Sequence, residues 1–211
     1  MYRYIEDKAL RNELREFCEG KIIDLQKELK DYFTFSFKLI GSGNNRLMTI
    51  NGKNNSIDLD YNLVIQRDKK QLFSNPEKIK KLFISTFQKV CGKNVKASDS
   101  TQVLTCTVGK VRNYLFSFDI AIFAEGNDGF FYKIINDKNT NPSRYIWNKV
   151  PKSRNFEYKF LTLKQLGYWE DIKNKYIKKK NTYLRSDPTK QSFSILIECL
   201  NDIIHEYNLD L

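Results

Sequence analysis

Residues 39–65 read LIGSGNNRLMTINGKNNSIDLDYNLVI, and this stretch decides the fold prediction. Apolar residues open and close it, which predicts two strands, over 32–40 and 56–65, joined by a turn rich in glycine and asparagine. The second strand carries Asp58 and Asp60, one residue apart, in a chain that is otherwise basic. Two acids at that spacing inside a strand require a physical explanation.

The side-chain period of a strand sets the direction of these acids. Residues i and i+2 point to the same side, so Asp58 and Asp60 share one face, and the apolar residues occupy the other. The two Cα atoms lie about 6.6 Å apart by strand rise, and like charges at that distance repel unless a cation or water screens them. The pair by itself fits either a wet polar face or a cation site.

A third acid, Asp119, favours the cation site. It lies inside NYLFSFDIAIFA, residues 113–124, which predicts a strand with apolar residues on both sides of the acid. A carboxylate buried there must be paired, neutral or metal-bound. Three aspartates on adjacent strands would supply hard oxygen ligands for two Mg²⁺ or Mn²⁺ ions. Two such ions activate a hydroxyl and stabilise a leaving pyrophosphate.

The turn before the acids has the composition of a phosphate-binding loop. Gly41 and Gly43 permit close backbone approach, and Ser42 offers a hydroxyl and an amide to a phosphate. Arg46 and Lys53 add positive charge nearby. A Gly-Ser-Gly turn alone is a weak signal, and its place between a strand and the acid pair gives it weight.

The remaining chain predicts an α+β fold, with a mixed β-sheet flanked by helices and a helical C-terminal part. Helical periodicity indicates helices, and alternation indicates strands. The helices are predicted over 4–31, 76–91, 156–166, 168–183 and 188–207, and the further strands over 94–100, 101–109, 113–124 and 130–136. Residues 137–155 predict a loop around the short segment RYIWNKV. We expect a core over 1–150, including the long N-terminal helix, and a helical part over 151–211 that packs on it.

Composition restricts the function classes. Lys and Arg outnumber Asp and Glu by 11, which favours polyanionic partners, although ordinary solvated lysines give the same total. No apolar run is long enough for a membrane span and the N-terminus lacks an apolar signal core, so we expect a cytoplasmic protein without membrane contact. The four cysteines form no CxxC pair, which argues against a zinc site and favours small buried side chains. His205 is the only histidine, which argues against nucleophile–histidine catalysis.

Over roughly residues 33–123, the order LIGSG, IDLDYNLVI and FSFDIAI resembles the polymerase-beta-like nucleotidyltransferase superfamily. The resemblance implies that Gly41 and Ser42 hold a triphosphate. It also implies that Asp58 and Asp60 ligate two Mg²⁺ or Mn²⁺ ions, and that Asp119 completes the second metal site and helps to activate the acceptor hydroxyl.

The long N-terminal helix and helical C-terminus resemble template-independent members, such as oligoadenylate synthases and bacterial cyclic-oligonucleotide synthases. Many relatives have a Gly-Thr shortly after Gly-Ser. Here the region reads NNRLMT, with Thr49 in that position.

The same resemblance implies that the C-terminal part covers the nucleotide. Lys164 and Lys180 are candidates to reach the β- and γ-phosphates, with a solvated helix face as the alternative. Tyr176 or Tyr183 would stack on a base. The tryptophans are expected to pack rather than to bind a base. The loop segment PKSRNFEYK places two basic residues beside a serine, and we expect these to line an acceptor channel: Lys152, Ser153 and Arg154.

The sequence therefore predicts a metal-dependent nucleotidyltransferase that transfers a nucleoside monophosphate from an NTP to a hydroxyl and releases pyrophosphate. The acceptor, whether nucleotide, RNA or protein, stays open at this stage. Two alternatives are a non-catalytic binder of nucleotides or nucleic acid with a basic surface, and a toxin–antitoxin component that modifies a protein or a tRNA end.

Overall fold

The computed structural model of the protein describes residues 1–44, 46–139, 144–151, 155–187 and 190–211. Within those ranges one sheet contains β1 (Tyr2–Tyr4), β2 (Phe33–Ile40), β3 (Thr49–Asn51), β4 (Ser56–Asp68), β5 (Lys96–Asp99), β6 (Leu104–Val111), β7 (Tyr114–Glu125), β8 (Phe131–Asp137) and β9 (Arg144–Lys149). The helices are α1 (Lys8–Leu29), α2 (Gly41–Asn44), α3 (Pro76–Cys91), α4 (Phe156–Gln165), α5 (Trp169–Ser186) and α6 (Ser192–Glu206). The predicted α+β class is confirmed.

The sheet is mixed, and its central pair is parallel. The strand order is β1-β3-β4-β7-β6-β5, with β2 paired to β4, β8 to β7 and β9 to β8. β4 and β7 run parallel, whereas the other pairs are antiparallel. A parallel pair needs a long crossover connection, and the segment with α3, β5 and β6 supplies it.

One face of the central strands is the main core. Leu59, Leu63, Phe116 and Phe118 are fully buried there. α1 and α3 belong to the same cluster, and Phe87 of α3 meets the Phe118 ring edge-on with centroids 5.8 Å apart. The apolar stripe of α1 follows helical spacing: Leu10, Leu14, Cys18, Ile22, Leu25 and Leu29.

A second cluster joins the C-terminal helices. Residues of α4, α5 and α6 pack around Leu47, which is fully buried and follows the Gly-Ser turn. α5 also contacts β1, and α6 contacts α2. The helical part therefore packs beside the turn that precedes the acid pair.

The predicted helix over 4–31 is wrong at its start. Tyr2–Tyr4 forms a strand that pairs antiparallel with β3. The helix begins at Lys8, because the Asp7 side chain accepts a hydrogen bond from the backbone N–H of Leu10 at 3.0 Å and caps it. The partner strand β3 was also missed, since three residues in an asparagine-rich link give too short a pattern.

The predicted loop over 137–155 is wrong for residues 144–149, which form β9 and pair with β8. The indole Nε1 of Trp147 donates to the Phe73 carbonyl at 2.8 Å, and the two rings meet edge-on. That packing fixes a segment whose own composition is polar. The predicted acceptor-channel residues Lys152, Ser153 and Arg154 lie outside the described residues, as do 188–189 at the predicted start of the last helix.

Pro76 and Gly92 bound α3 as predicted, with Asn75 as its N-cap. All four cysteines are free thiols in buried positions, as expected for small core side chains. Among the helices that the structure describes, none is long and apolar enough to cross a membrane.

Candidate active site

The three predicted acids lie on one face of the central parallel pair. In the β4–β7 register Asp60 is opposite Asp119, and Asp58 is opposite Ser117. Register partners on adjacent strands project to the same side, so all three carboxylates leave the face that is not packed by α1 and α3. We call it the acid face. The sequence predicted this face from alternation, and the register now places Asp60 and Asp119 on neighbouring strands.

Two hydroxyl groups hold two of these acids. Ser117 Oγ donates to Asp58 Oδ1, and Thr105 Oγ1 of β6 donates to Asp119 Oδ1 at 2.7 Å. In the described parts of the chain no three His, Cys, Asp or Glu side chains are grouped to hold a metal ion. The acids therefore share a face, and two of them are turned to neighbouring hydroxyls.

The charge on this face is unfavourable to the acids themselves. Burial, followed by the nearby charges of Asp119 and Asp58, raises the pKa of Asp60 to about 6, and Lys180 opposes the shift. Burial also raises the pKa of Asp119, against the hydrogen bond from Thr105. A divalent cation binds oxygen ligands and would neutralise this excess of negative charge. The residues present therefore fit the predicted metal.

The Gly-Ser turn lies directly against Asp60. It forms the single helical turn α2, in which Gly41 has a φ of 61°, and a Cβ at Gly41 would stand 3.3 Å from Asp60 Oδ2. A Cβ at Gly43 would come within 2.9 Å of a Leu39 methyl. Glycine is therefore required at Gly41 by conformation and at Gly43 by space. The carbonyl of Ser42 accepts from the N–H of Leu47 at 2.8 Å, which ties the turn to the C-terminal cluster.

Lys180 is a buried cation whose charge acts on two of these acids. It extends from α5, is 6% exposed, and its Nζ donates to Thr49 Oγ1 at 2.9 Å. Burial lowers its pKa to about 8, while Asp60 and Asp58 hold it up. Thr49, the residue in place of the Gly-Thr motif, is thus a lysine-binding hydroxyl in this fold.

Sequence reasoning missed Tyr2 and Asn181. The Asn181 side-chain amide accepts from the Tyr2 N–H at 2.6 Å and donates to the Tyr2 carbonyl at 3.0 Å, so it binds the edge of β1 as a neighbouring strand would. The Tyr2 ring lies 4.8 Å from Lys180 Nζ. Burial and then Asp58 raise the pKa of Tyr2. The only local signal was Tyr-Arg-Tyr alternation over three residues.

The other predicted binding residues are not brought to the acids by any described contact. Lys164 is exposed, with its Nζ 4.9 Å from the ring centre of Trp169. Arg46 is exposed and has a φ of 54°. Tyr176 is 1% exposed and belongs to the C-terminal core cluster, so its ring has no free face for a base.

Comparison with known proteins supports the fold. The sequence matches no protein-family model and no curated protein at a significant level. The structure is similar to the CdnE c-di-GMP synthase of Capnocytophaga granulosa, with a TM-score of 0.63 and 16% identity over 93% of this chain and 60% of that one. It is also similar to GTP-bound DncV of Vibrio cholerae, with a TM-score of 0.57 and 11% identity over 84% of this chain and 47% of that one.

A third similar structure is CdnC of Escherichia coli MS115-1 with ATP, with a TM-score of 0.55 and 12% identity over 94% of this chain and 61% of that one. The chain thus spans about half to three fifths of the length of these structures. The predicted similarity to cyclic-oligonucleotide synthases of the polymerase-beta-like superfamily is confirmed at the level of the fold.

Proposed function

We propose that the protein is a metal-dependent nucleotidyltransferase, which transfers a nucleoside monophosphate from an NTP to a hydroxyl and releases pyrophosphate. One observation carries the proposal. Asp58, Asp60 and Asp119 share one face of adjacent parallel strands, and the Gly41 backbone lies against the Asp60 carboxylate. Transfer from a triphosphate requires carboxylates beside a turn that can bind phosphate, because metal and phosphate must meet.

Each acid has a proposed role. Asp58 and Asp60 would hold both Mg²⁺ or Mn²⁺ ions, and Asp119 would complete the second site. Bound ions supply charge neutralisation at the phosphates and a lower pKa for the acceptor hydroxyl. To hold these ions, Asp58 and Asp119 would turn from the hydroxyls of Ser117 and Thr105.

The reaction balances without histidine or cysteine. The acceptor oxygen bonds to the α-phosphorus, the bond from that phosphorus to the bridging oxygen breaks, and pyrophosphate leaves with its electron pair. Asp119 accepts the acceptor proton at a carboxylate oxygen. Catalysis is otherwise positioning and electrostatics.

We assign the binding of the NTP triphosphate to the Gly-Ser turn and to α5. Backbone N–H groups at Gly41 and Ser42 would face the triphosphate, and the buried Lys180 would neutralise its charge. Lys180 lies within electrostatic range of Asp60, and this supports a role in neutralising a β- or γ-phosphate. Arg46 and Lys164 are weaker candidates, since no described contact joins either to the acids.

The division into a core over 1–150 and a helical part over 151–211 is also a proposal. Two separate hydrophobic clusters support it, although Leu47 and Tyr4 of the first part pack in the second cluster. The helical part would then act with the core around one nucleotide.

The deciding experiment incubates the protein with each α-labelled NTP and Mg²⁺ or Mn²⁺, alone and with total RNA, and identifies products by mass. We expect pyrophosphate release and a labelled product, and none with Asp119→Asn. NTP and Mg²⁺ together should raise the Tm more than either alone. Labelled-nucleotide binding that is steeply salt-dependent, needs no divalent ion and gives no product would instead support the non-catalytic binder.

A further inference from the structure

The acid face continues past the proposed metal site toward an edge of the sheet. One register row runs from Asp58 through Ser117 and Thr107 to Lys96 on the edge strand β5. The neighbouring row runs from Ser56 through Leu115 to Lys110 of β6. Register partners share a face, so both lysines emerge on the same side as the acids.

An open pocket of about 350 Å³ lies between these rows. Its lining includes Asp58, Ser56, Thr107, Gly109, Leu115 and Ser117. Asp58 is the one ionisable side chain in the lining, and the rest offer hydroxyls, the amide of Asn54 and apolar side chains. Such a lining suits the neutral part of a ligand, with a hydroxyl directed at Asp58, and it opposes a phosphate inside the pocket.

The outer side of the pocket has the opposite charge. Lys96 and Lys110 are exposed, and in the described part of the chain neither forms an ion pair. With a strand spacing of about 4.8 Å, Lys110 lies about 10 Å from β4 and Lys96 about 14 Å from it. The distance between the carboxylate and the two cations would accommodate a neutral group about one nucleoside long.

We propose that this pocket, with Lys96 and Lys110 at its outer side, binds the phosphorylated nucleoside that supplies the acceptor hydroxyl. The nucleoside lies over Leu115 with its ribose toward Asp58 and its phosphate at the lysines, and the acceptor hydroxyl of the ribose extends past Asp58 toward Asp119, which takes its proton. A free nucleotide and the 3′ end of a nucleic-acid strand share this chemistry. The inference rests on the proposed function, because it assigns the acceptor of that reaction.

Binding can be measured apart from catalysis, in EDTA and without a donor. The probe is 5′-fluorescein-labelled r(A)₄ followed by anisotropy, with unlabelled adenosine and AMP as competitors. We expect AMP to displace the probe at a concentration roughly tenfold below that of adenosine, since two exposed ionic contacts are worth about that factor. If the probe does not bind while direct titration shows AMP binding at the lysines, the ligand is a free nucleotide.

The lysines are tested by the double variant Lys96→Glu/Lys110→Glu. We expect probe or AMP affinity to fall roughly tenfold or more, with adenosine affinity unchanged. The matched control is Lys8→Glu/Lys78→Glu, which alters net charge equally at exposed positions of α1 and α3, on the other side of the sheet. Lysines near the edge of a sheet also prevent it from pairing with another chain. If that were their only role, their substitution would not weaken nucleotide binding. Equal loss in both double variants, or equal affinity for adenosine and AMP, would overturn the proposal.

A second variant tests the pocket separately from the two lysines. Thr107→Tyr adds bulk at an exposed strand position where tyrosine is well tolerated, and should remove adenosine and AMP binding alike. Unchanged binding would contradict the location. Asp119→Asn distinguishes the two proposals, because it should abolish transfer and leave acceptor binding in EDTA intact. Transfer that survives Asp119→Asn refutes the proposed function, while the binding measurements still judge the pocket.

Discussion

The two faces of β4 and β7 have opposite physical characters. On the core face Leu59, Leu63, Phe116 and Phe118 are fully buried against helices. On the acid face burial, and then the charge of neighbouring carboxylates, raises the pKa of Asp60 and of Asp119. One face stabilises the fold, and the other holds charge at a cost to the fold. A strand pair that tolerates such a cost indicates that the acid face is maintained for binding or chemistry.

The largest expected effect tests the chemistry of the acid face. Asp119→Asn keeps the shape of the side chain and its contact with Thr105 but removes the charge. We expect the rate of nucleotidyl transfer to fall by at least roughly 100- to 1,000-fold, the range for loss of one preorganised electrostatic group, and so below detection in the product assay. Steady-state pyrophosphate release measures it, and circular dichroism checks the fold. Wild-type activity in this variant would mean that the acid face has another purpose.

The core face should respond in stability instead. Phe118→Ala removes a fully buried ring that contacts Tyr61, Phe87 and Phe116, and should lower the free energy of unfolding by about 3–5 kcal/mol. The neighbouring control Ser117→Ala, on the acid face, removes one hydroxyl hydrogen bond and should cost no more than about 1.5 kcal/mol. Urea denaturation measures both. Similar losses at the two positions would contradict the division between the faces.

The cost of the acid face can be measured through pH. Asp60 has a folded-state pKa of about 6 against an ordinary value of 3.8. A raised pKa means that the folded state binds the proton more tightly, so the free energy of unfolding falls as pH rises from about 4 to about 6. Asp60→Asn should therefore stabilise the metal-free protein by roughly 3 kcal/mol at pH 7, since each pKa unit is worth about 1.4 kcal/mol, and by well under about 1 kcal/mol at pH 4. Denaturation in EDTA at pH 4 and pH 7 measures this difference in the free energy of unfolding. If Asp60→Asn instead destabilised the protein at pH 7, the attraction between Lys180 and the Asp60 carboxylate would outweigh the cost of burying that carboxylate.

The sequence predicted the acid face and only part of what surrounds it. Alternation inside a single strand is a local pattern, so Asp58 and Asp60 could be assigned to one side. The register that sets Asp60 opposite Asp119 depends on which strands pair, which no local pattern contains. Thr105 and Ser117 were missed for the same reason, because one hydroxyl residue in an alternating strand carries no signal of its partner.

Lys180 illustrates a different limit. Its segment is rich in lysine, and periodicity alone does not show which one is buried. The structure distinguishes it by the contact with Thr49 and by burial, and its phosphate-binding role stays a prediction. β1 was not predicted, and only its last residue, Tyr4, falls in the predicted first helix; the strand brings the Tyr2 ring to within 4.8 Å of Lys180 Nζ. A three-residue strand forms only because β3 and Asn181 bind its two edges.

The smallest expected effect concerns the two hydrogen bonds between the Asn181 side chain and the Tyr2 backbone, which join the helical part to β1. Asn181→Ala removes two hydrogen bonds to β1 at the residue next to Lys180, and should raise the KM for the NTP about three- to tenfold with kcat within about twofold. The control Asn174→Ala lies on an exposed part of the same helix and should change neither constant. Asn181→Asp, which keeps the acceptor for the Tyr2 N–H, should recover part of the loss. A lower Tm with an unchanged KM would restrict Asn181 to stability, and would leave Lys180 correctly placed without β1.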